Sequence, residues 1–530
     1  MITPNSHADT ARRAWIRRPG VLATLAALLV ALVAFVLGAI TNLSVGDENY
    51  HLQKAVQFAD AGRRLTYDPV YGPAVPPGIP YYDGFAWHAG LAMLWRLTGK
   101  SVLVAQAYQA AWLALFVGCA FAAGRALGGA RAGWWSLLAA ATLPAALFFG
   151  IVLYVEVAMM ALLMLCAALV LARRPFLAGL AFGMAFLVKP TIAFGFPALV
   201  VGTWLAADAP LRSSASLRST SPTWRRRLTG IVLAGIGTAA FVIPDLAWRQ
   251  VHLGTIGVVY LSKSGGDAAV PDVVRRMLLE KGPEAIYNVS RLTSPIDLGK
   301  YLGLLIALGL VVALVRRKSL GRRGAALWAV TGTLLLIPMG LLAQNRGYLD
   351  VRYAMPLFPL LVLMTGIALA AWAGPGRRWA WVLVAAAVLQ GVAVGATALR
   401  LRRVDLPLRE AMVALGRLEV RRPPGFVLCP ESKVSTYSGR PILWAAVNPG
   451  PFFFTWPPEK QRFLLNHFGV EYIVVPHARI YDDAQVKHTG GYPRSFVDAL
   501  PRLPYVDPAP VIDRGGLTVY RIKAEASTRP

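Results

Sequence analysis

The residues with the clearest chemical potential form the stretch Gly46-Asp47-Glu48-Asn49-Tyr50-His51, directly after the first long apolar segment. If a helix begins here, His51 follows Asp47 by four residues and Glu48 by three, so the three side chains share a face. Such a cluster can take part in acid/base chemistry or bind a metal ion. The alternative interpretation is structural: Asp47 caps the helix, and Glu48 favours its positive end.

The composition places this cluster in a membrane protein. Of the 530 residues, 56% are hydrophobic and 15% are charged, whereas a soluble protein carries about 25% charged residues. The mean hydropathy is +0.52, and repeated apolar runs are long enough to span a bilayer as helices. The net charge of +27 comes mainly from arginines in short patches between apolar runs, which is typical of topology determinants and argues against nucleic-acid binding.

The apolar runs predict about eleven membrane-spanning helices in residues 20–400, preceded by a cytoplasmic N-terminus at 1–19. The spans are predicted at about 20–41, 101–123, 132–149, 157–172, 175–188, 191–207, 229–250, 299–315, 324–343, 353–373 and 379–399. The stretch 175–207 is also consistent with one long segment kinked at Lys189-Pro190. With eleven spans, every even-numbered crossing ends at a basic patch, as the positive-inside rule requires.

Two parts of the chain are predicted to lie outside the membrane. A long external loop at 42–99 is expected to hold helices at about 50–64 and 84–97, the second of which suits the headgroup level. Residues 401–530 contain short β-type runs at 426–428 and 471–475 and a helix at 457–468. The predicted fold class is therefore an all-α polytopic membrane protein with a small C-terminal extracytoplasmic α/β domain.

The same topology brings further charged groups to the external face. Glu156 is the acid of the short second external turn, where it is either functional or an ordinary helix-start residue. Lys189 either snorkels to the headgroups or holds a lipid phosphate. Arg346 and Arg352, the latter next to Tyr353, go against the charge bias of external segments and indicate an anionic ligand.

The order of these motifs resembles that of GT-C glycosyltransferases. The shared features are an external Asp-Glu pair after the first span, a Pro-Pro segment later in that loop, an acidic second external loop, and Arg-Tyr-x-x-Pro-Leu entering a late span. Asp47-Glu48-x-x-His51 and Lys189-Pro190-Thr191 are similar to the dolichyl-phosphate-glucose α-1,2-glucosyltransferase. Arg352-Tyr353-Ala354-Met355-Pro356 and Tyr437-Ser438-Gly439-Arg440-Pro441 look more like the protein-mannosyltransferase and aminoarabinose-transferase branch. Glu156 departs from the aspartate that is commoner in the second loop.

The resemblance implies an inverting transferase of the cytoplasmic (inner) membrane. It would pass a sugar from a polyprenyl-phosphate-linked donor to a glycan, lipid or protein acceptor on the extracytoplasmic side. Asp47, Glu48 and Glu156 would supply the carboxylate base. Substrate-binding residues would be His51, Tyr82, Lys189, Arg346, Arg352 and Tyr353, with Lys189 or Arg352 on the departing phosphate. Tyr82 is equally consistent with aromatic anchoring at the interface. No cofactor is assigned, and the sequence leaves open whether a divalent metal, Mg or Mn, takes part.

Two other classes of protein compete with this prediction. A transporter or flippase of a lipid-linked sugar would be expected to carry acids and bases deep in its spans, whereas here they gather at one face. A membrane-anchored binding protein would have its function in residues 401–530, where nothing resembles a catalytic motif.

Overall fold

Two structural units make up the chain in the computed structural model, and each combines segments that are distant in sequence. The first unit consists of Met1–Ile40, Asp83–Trp87 and Val102–Ala398, and the second of Thr41–Tyr82, His88–Ser101 and Leu399–Pro530. The structure describes residues 19–41, 46–62, 64, 84–206, 223–253, 295–316, 326–327, 329–333, 354–373, 379–403, 405–421, 425–431, 433–443, 451–483 and 491–523.

Helices dominate the described residues. In chain order they are α1 (Pro19–Ala39), α2 (Gly46–Ala61), α3 (Ala86–Thr98), α4 (Val102–Gly128), α5 (Ala130–Ala141), α6 (Pro144–Ile151), α7 (Val155–Leu171), α8 (Pro175–Val188), α9 (Phe196–Ala206), α10 (Thr223–Leu253), α11 (Pro295–Val315), α12 (Phe358–Trp372), α13 (Trp379–Leu401), α14 (Leu406–Gly416), α15 (Lys433–Ser438), α16 (Pro458–His467) and α17 (Arg494–Ala499). Short 3-10 helices occupy Pro190–Gly195, Met355–Leu357, Pro451–Thr455, His477–Arg479 and Leu500–Arg502.

The membrane-spanning helices of the first unit lie where the apolar runs predict them. Among the described residues, five helices are long and apolar enough to cross a bilayer, namely Pro19–Ala39, Val102–Gly128, Trp224–His252, Met355–Trp372 and Ala380–Leu401. Shorter apolar helices cover Val155–Leu171, Pro175–Val188, Pro190–Ala206 and Leu302–Val315. The chain is therefore a multi-pass membrane protein. The predicted span at 324–343 lies mostly outside the described residues, so the total of eleven stays a prediction.

One predicted span is a broken one. The run at 132–149 is formed by α5 and α6, which together are long and apolar enough to span a bilayer but are bent by 51° relative to each other. The first residue of α6 is Pro144, whose missing backbone N–H and ring prevent α5 from continuing.

The chain also breaks at Lys189. The helix α8 ends at Val188, and Lys189 has an extended backbone with φ −146° and ψ 100°. A 3-10 turn from Pro190 to Gly195 then leads into α9. A proline disfavours the helical conformation of the residue before it, which places the break at Lys189. The stretch 175–207 is thus two helices joined by a short turn.

The helices α8 and α10 pack closely and run in the same direction. A Cβ on Gly179 would lie 2.0 Å from the carbonyl oxygen of Ala234, and one on Gly183 would lie 2.9 Å from that of Thr238 and 3.1 Å from Phe241. Residue number therefore rises along both helices together. Small residues allow membrane helices to approach this closely.

Within its described residues, the second unit contains a five-stranded sheet. Its strands are β1 (Phe426–Leu428), β2 (Ile442–Leu443), β3 (Val470–Pro476), β6 (Ile512–Arg514) and β7 (Leu517–Arg521), in the order β2-β1-β3-β7-β6. β1 is parallel to β2 and β3, whereas β7 is antiparallel to β3 and β6. A separate parallel pair joins β4 (Ile480–Tyr481) and β5 (Tyr492–Pro493).

The central strand is buried on both faces. Ile473 and Val475 belong to one hydrophobic cluster, and Tyr472 and Val474 belong to the other, as the two-residue period of a strand requires. The predicted runs at 426–428 and 471–475 are strands, and the helix predicted at 457–468 is α16. The prediction of a small C-terminal α/β fold is confirmed.

The second unit also includes the two predicted loop helices. They are α2 and α3, with α2 beginning at Gly46 instead of residue 50. Arg96 on α3 donates from Nε to the carbonyl oxygen of Ala59 on α2 at 3.0 Å, and Lys100 pairs with Asp60. The Pro-Pro segment of this loop lies outside the described residues.

Candidate active site

A buried ion pair joins two of the residues singled out in the sequence. Lys189 Nζ lies 2.7 Å from Glu156 Oε1, and the side chains are 15% and 3% exposed. Glu156 lies in the first turn of α7, where the positive end of the helix favours a carboxylate. Lys189 occupies the break after α8. The two residues, 33 apart in sequence, thus form one charged centre in the first unit.

Gln109 on α4 fixes the turn that precedes Glu156. Its Nε2 donates to the carbonyl oxygens of Phe149 and Tyr154, both at 2.7 Å, and its Oε1 accepts from Trp87 Nε1 at 3.1 Å. Tyr154 is the N-cap residue of α7, two positions before Glu156. The fully buried amide therefore determines where α7 begins.

Gly84, in the segment before α3, packs against the backbone that precedes Lys189. A Cβ on Gly84 would lie 2.1 Å from the carbonyl oxygen of Leu187 and 2.3 Å from that of Val188, so only glycine fits. The segment 84–87 consequently packs against the backbone that leads into Lys189, while its Trp87 is bonded to Gln109. The surroundings of Glu156 and Lys189 are fixed from both sides.

In the second unit, the first turn of α2 is held by an arginine. Arg402 donates from Nη2 to Glu48 Oε1, from Nε to Glu48 Oε2 at 3.3 Å, and from Nη1 to Thr41 Oγ1 at 2.7 Å. The side chains of Glu48 and Arg402 are both fully buried. A bidentate contact between an arginine and a carboxylate is geometrically specific, so it fixes the first turn of α2, which also carries Asp47. The side chain of Asp47 itself lies outside the described part of the structure.

His51 forms a close pair with a second histidine. Its Nδ1 lies 3.0 Å from Nε2 of His88 on α3, and both side chains are buried. One ring must donate and the other accept, so the two imidazoles cannot both be charged in this geometry. His88 also stacks on Phe58, with ring centroids 6.5 Å apart.

The remaining predicted site residues, Tyr82, Arg346, Arg352 and Tyr353, lie outside the described residues. Within the described ranges, no group of three or more His, Cys, Asp or Glu side chains could hold a metal ion.

Sequence reasoning did not identify Arg402, His88 or Gln109. Arg402 belongs to a basic run that follows the last predicted span on its external side, against the positive-inside bias. That exception could have indicated a carboxylate partner. Gln109 is a polar residue within an apolar span, and His88 has no comparable signal in the sequence.

No protein-family model and no curated protein matches the chain. Solved structures do match it in fold. ArnT from Cupriavidus metallidurans in the apo state has a TM-score of 0.63 at 15% identity, covering 96% of this chain and 98% of that chain. The same protein bound to undecaprenyl phosphate has a TM-score of 0.61 at 16% identity, covering 97% and 98%. The apo oligosaccharyltransferase of Archaeoglobus fulgidus has a TM-score of 0.55 at 14% identity, covering 92% and 73%.

These structural neighbours are GT-C proteins, and they resemble the chain in both its helical membrane part and its C-terminal part. The resemblance drawn from the motif order is therefore confirmed at the level of fold: this chain has the GT-C fold, in the form seen in ArnT.

Proposed function

We propose that this protein is an integral-membrane glycosyltransferase that uses a polyprenyl-phosphate-linked sugar as its donor. The observation that carries the proposal is the match in fold with ArnT along nearly the full length of both chains, including a structure of ArnT bound to undecaprenyl phosphate. The acceptor is a glycan, lipid or protein on the extracytoplasmic side of the cytoplasmic membrane. The basic patches between the predicted spans support this orientation.

The reaction would be a single displacement at the anomeric carbon. The acceptor hydroxyl attacks that carbon, a new glycosidic C–O bond forms, and the bond between the sugar and the phosphate oxygen breaks. The polyprenyl phosphate leaves with the electron pair, and the hydroxyl proton passes to a carboxylate base. One displacement from the opposite face inverts the configuration at the anomeric carbon.

Asp47 is the proposed base, since Glu48 beside it is bound through both oxygens to Arg402. In this assignment Glu48 and Arg402 position the first turn of α2, and Asp47 accepts the proton. Lys189 is proposed to stabilise the departing phosphate. An ammonium carries three N–H donors, so Lys189 can bind a phosphate oxygen while it holds Glu156. The proposal also includes substrate binding by further residues, namely His51, Tyr82, Arg346, Arg352 and Tyr353.

The positions of Glu156 and Lys189 weigh against the transporter alternative, because both residues lie at helix ends. A transporter is expected to bind substrate and ions near the bilayer midplane. Glu156 lies in the first turn of α7, and Lys189 directly follows the last residue of α8.

The proposal is tested in proteoliposomes that contain the purified protein, a polyprenyl phosphate carrying a radiolabelled sugar, and an envelope extract as acceptor. We expect the sugar to leave the lipid in an acceptor-dependent manner, with release of free polyprenyl phosphate. Movement of the intact lipid-linked sugar across the bilayer without cleavage would reject the transferase and favour a flippase.

A further inference from the structure

The side chain of Asn49 connects the helix α2 to the C-terminal α/β domain within the second unit. Thr436 Oγ1 on α15 donates to Asn49 Oδ1 at 2.6 Å, although the two residues are 387 apart in sequence. Asn49 is 1% exposed. It directly follows Glu48, which Arg402 holds, and it lies two positions after Asp47, the proposed base. The start of α2 is therefore held by contacts from two different segments of the chain.

These two contacts restrain the rotation of α2 about its own axis. Successive residues of an α-helix are about 100° apart around the axis, so Glu48 and Asn49 lie on different sides of the helix. The contact with Arg402 restrains one of these sides. The hydrogen bond from Thr436 adds a fixed point on the other, about 200° from residue 47. Together the two contacts determine where residue 47 lies around the helix axis.

The helix α15 is itself fixed to the sheet of the C-terminal domain by Arg440, two residues after its last residue. The guanidinium is buried: its Nε donates to the carbonyl oxygen of Leu415 on α14 at 3.0 Å, and its Nη1 lies 3.3 Å from Glu471 Oε2 on β3. Thr436 therefore links α2 to the central strand of the sheet. The motif at 437–441, which the sequence singles out, supplies the arginine that holds this link in place.

The polar groups on this side of α2 are not arranged for stability. Asn49 Nδ2 and both amide atoms of Gln53, one turn further along the helix, are buried without a hydrogen-bond partner among the described residues. Apolar side chains of similar volume would avoid the free-energy cost of burying such groups. A buried polar group can be retained because it selects one alignment of neighbouring elements. The contact between Asn49 and Thr436 has the character of such an alignment device.

A small rotation of α2 would be enough to displace the base. Side chains reach about 5–6 Å from the axis of a helix, so a rotation of about 10° moves a carboxylate by about 1 Å. A displacement of about 1 Å can lower the rate of an enzymatic reaction by about 100-fold. The alignment of α2 is therefore important for turnover even where the fold is intact.

We propose that Thr436 is a positioning residue for sugar transfer: through Asn49 it aligns the start of α2, and hence Asp47, with the reacting sugar. The inference rests on the proposed function and adds that the C-terminal domain takes part in turnover without touching the reacting atoms. Thr436 should affect the rate of transfer and not the binding of the lipid phosphate, because Lys189, the proposed phosphate ligand, belongs to the first unit.

The test uses variants of the full-length protein in proteoliposomes and measures turnover of the radiolabelled lipid-linked sugar and binding of undecaprenyl phosphate. Thr436→Val removes the hydroxyl and keeps the shape of the side chain. It should lower kcat by about 10- to 100-fold and leave the affinity for undecaprenyl phosphate unchanged. Thr436→Ser keeps the hydroxyl, so its kcat should stay within about twofold of wild type. Asn49→Leu removes the acceptor and should lower kcat as much as Thr436→Val does.

A double variant and a matched control complete the experiment. Thr436→Val/Asn49→Leu should lose no more kcat than either single variant, because all three remove the same hydrogen bond. The control is Thr518→Val, which makes the same replacement on β7 of the same domain, where the hydroxyl donates to Asp513 Oδ1 at 2.8 Å. This variant should leave kcat unchanged.

Equal losses of kcat in Thr436→Ser and Thr436→Val, or additive losses in the double variant, would overturn the inference, because either result separates the rate from the hydrogen bond. A parallel loss of undecaprenyl phosphate binding would also overturn it, since it would indicate general damage to the structure. If Thr436→Val does not fold, Asn49→Leu and Thr436→Ser decide the matter. If wild type transfers no sugar, the proposed function falls as well, whereas a wild-type kcat in folded Thr436→Val overturns this inference alone.

Discussion

The ion pair between Glu156 and Lys189 allows stability and function to be separated by a double-mutant cycle. Glu156→Gln leaves the ammonium of Lys189, which is 15% exposed, without its carboxylate. Lys189→Met leaves the carboxylate of Glu156, which is 3% exposed, without its cation. Removing one partner of a buried pair costs about 3–5 kcal/mol, and the second variant should approach the upper end because Glu156 is more deeply buried.

The double variant Glu156→Gln/Lys189→Met should recover most of this loss. It removes both charges and keeps side chains of similar volume, a change that is often neutral or stabilising. The matched control is the pair Asp60–Lys100, whose side chains are 60% and 46% exposed. Asp60→Asn and Lys100→Met, alone or together, should change the unfolding free energy by less than about 1 kcal/mol. Thermal unfolding of the purified variants in detergent measures both cycles.

Binding of undecaprenyl phosphate should not recover in the double variant, although its stability does. Because Lys189 is proposed to hold the lipid phosphate, the double variant should bind undecaprenyl phosphate as weakly as Lys189→Met, despite its recovered fold. A double variant that is stable and binds the lipid phosphate like wild type would refute a role for Lys189 beyond structure. A double variant as unstable as either single variant would refute the coupling inferred from the 2.7 Å contact.

Three further predictions concern the surrounding residues and the topology. Gln109→Leu deletes the hydrogen bonds to Phe149, Tyr154 and Trp87. It should therefore lower the unfolding free energy by about 3 kcal/mol or more and reduce turnover. Unchanged turnover in a folded variant would show that the position of Glu156 is unimportant. Arg402→Met leaves the buried carboxylate of Glu48 without its guanidinium and should lower the unfolding free energy by about 3–5 kcal/mol. The double variant Arg402→Met/Glu48→Met should recover most of that loss, and a double variant that does not recover would contradict the pairing. An impermeant thiol reagent added outside intact cells should label Val45→Cys and Phe463→Cys but not Thr220→Cys, and the opposite pattern would invert the topology. The native Cys429 should stay unlabelled in that assay, since it is fully buried and burial raises the pKa of its thiol.

The features that the sequence predicts well are those set by neighbours along the chain. The apolar run before Lys189-Pro190 places α8 at 175–188, because a proline ends the helix before it. The run at 471–475 predicts β3, since its residues from Tyr472 to Val475 are apolar on both faces. The break in the span predicted at 132–149 follows from Pro144, which the prediction did not take into account.

The pairings of the candidate site depend on contacts between distant segments. Glu48 and Arg402 are 354 residues apart, and His51 and His88 are 37 apart. The spacing of three between Glu48 and His51 predicts that they share a helix face, but it carries no information about the partner that each one meets. Such partners follow from how the helices pack, which the apolar pattern of a single chain does not specify.

The central claim, sugar transfer with Asp47 as the base, is tested most directly by Asp47→Asn. This change keeps the size of the side chain and most of its hydrogen-bonding capacity, but the amide cannot accept the hydroxyl proton. The measurement is turnover of a radiolabelled polyprenyl-phosphate sugar by wild type and variant at equal donor occupancy. We predict unchanged donor affinity and turnover lower by about two to four orders of magnitude, the usual contribution of a general base. Turnover near that of wild type in a folded Asp47→Asn variant would contradict the account, and the base would then have to be sought at Glu48 or Glu156.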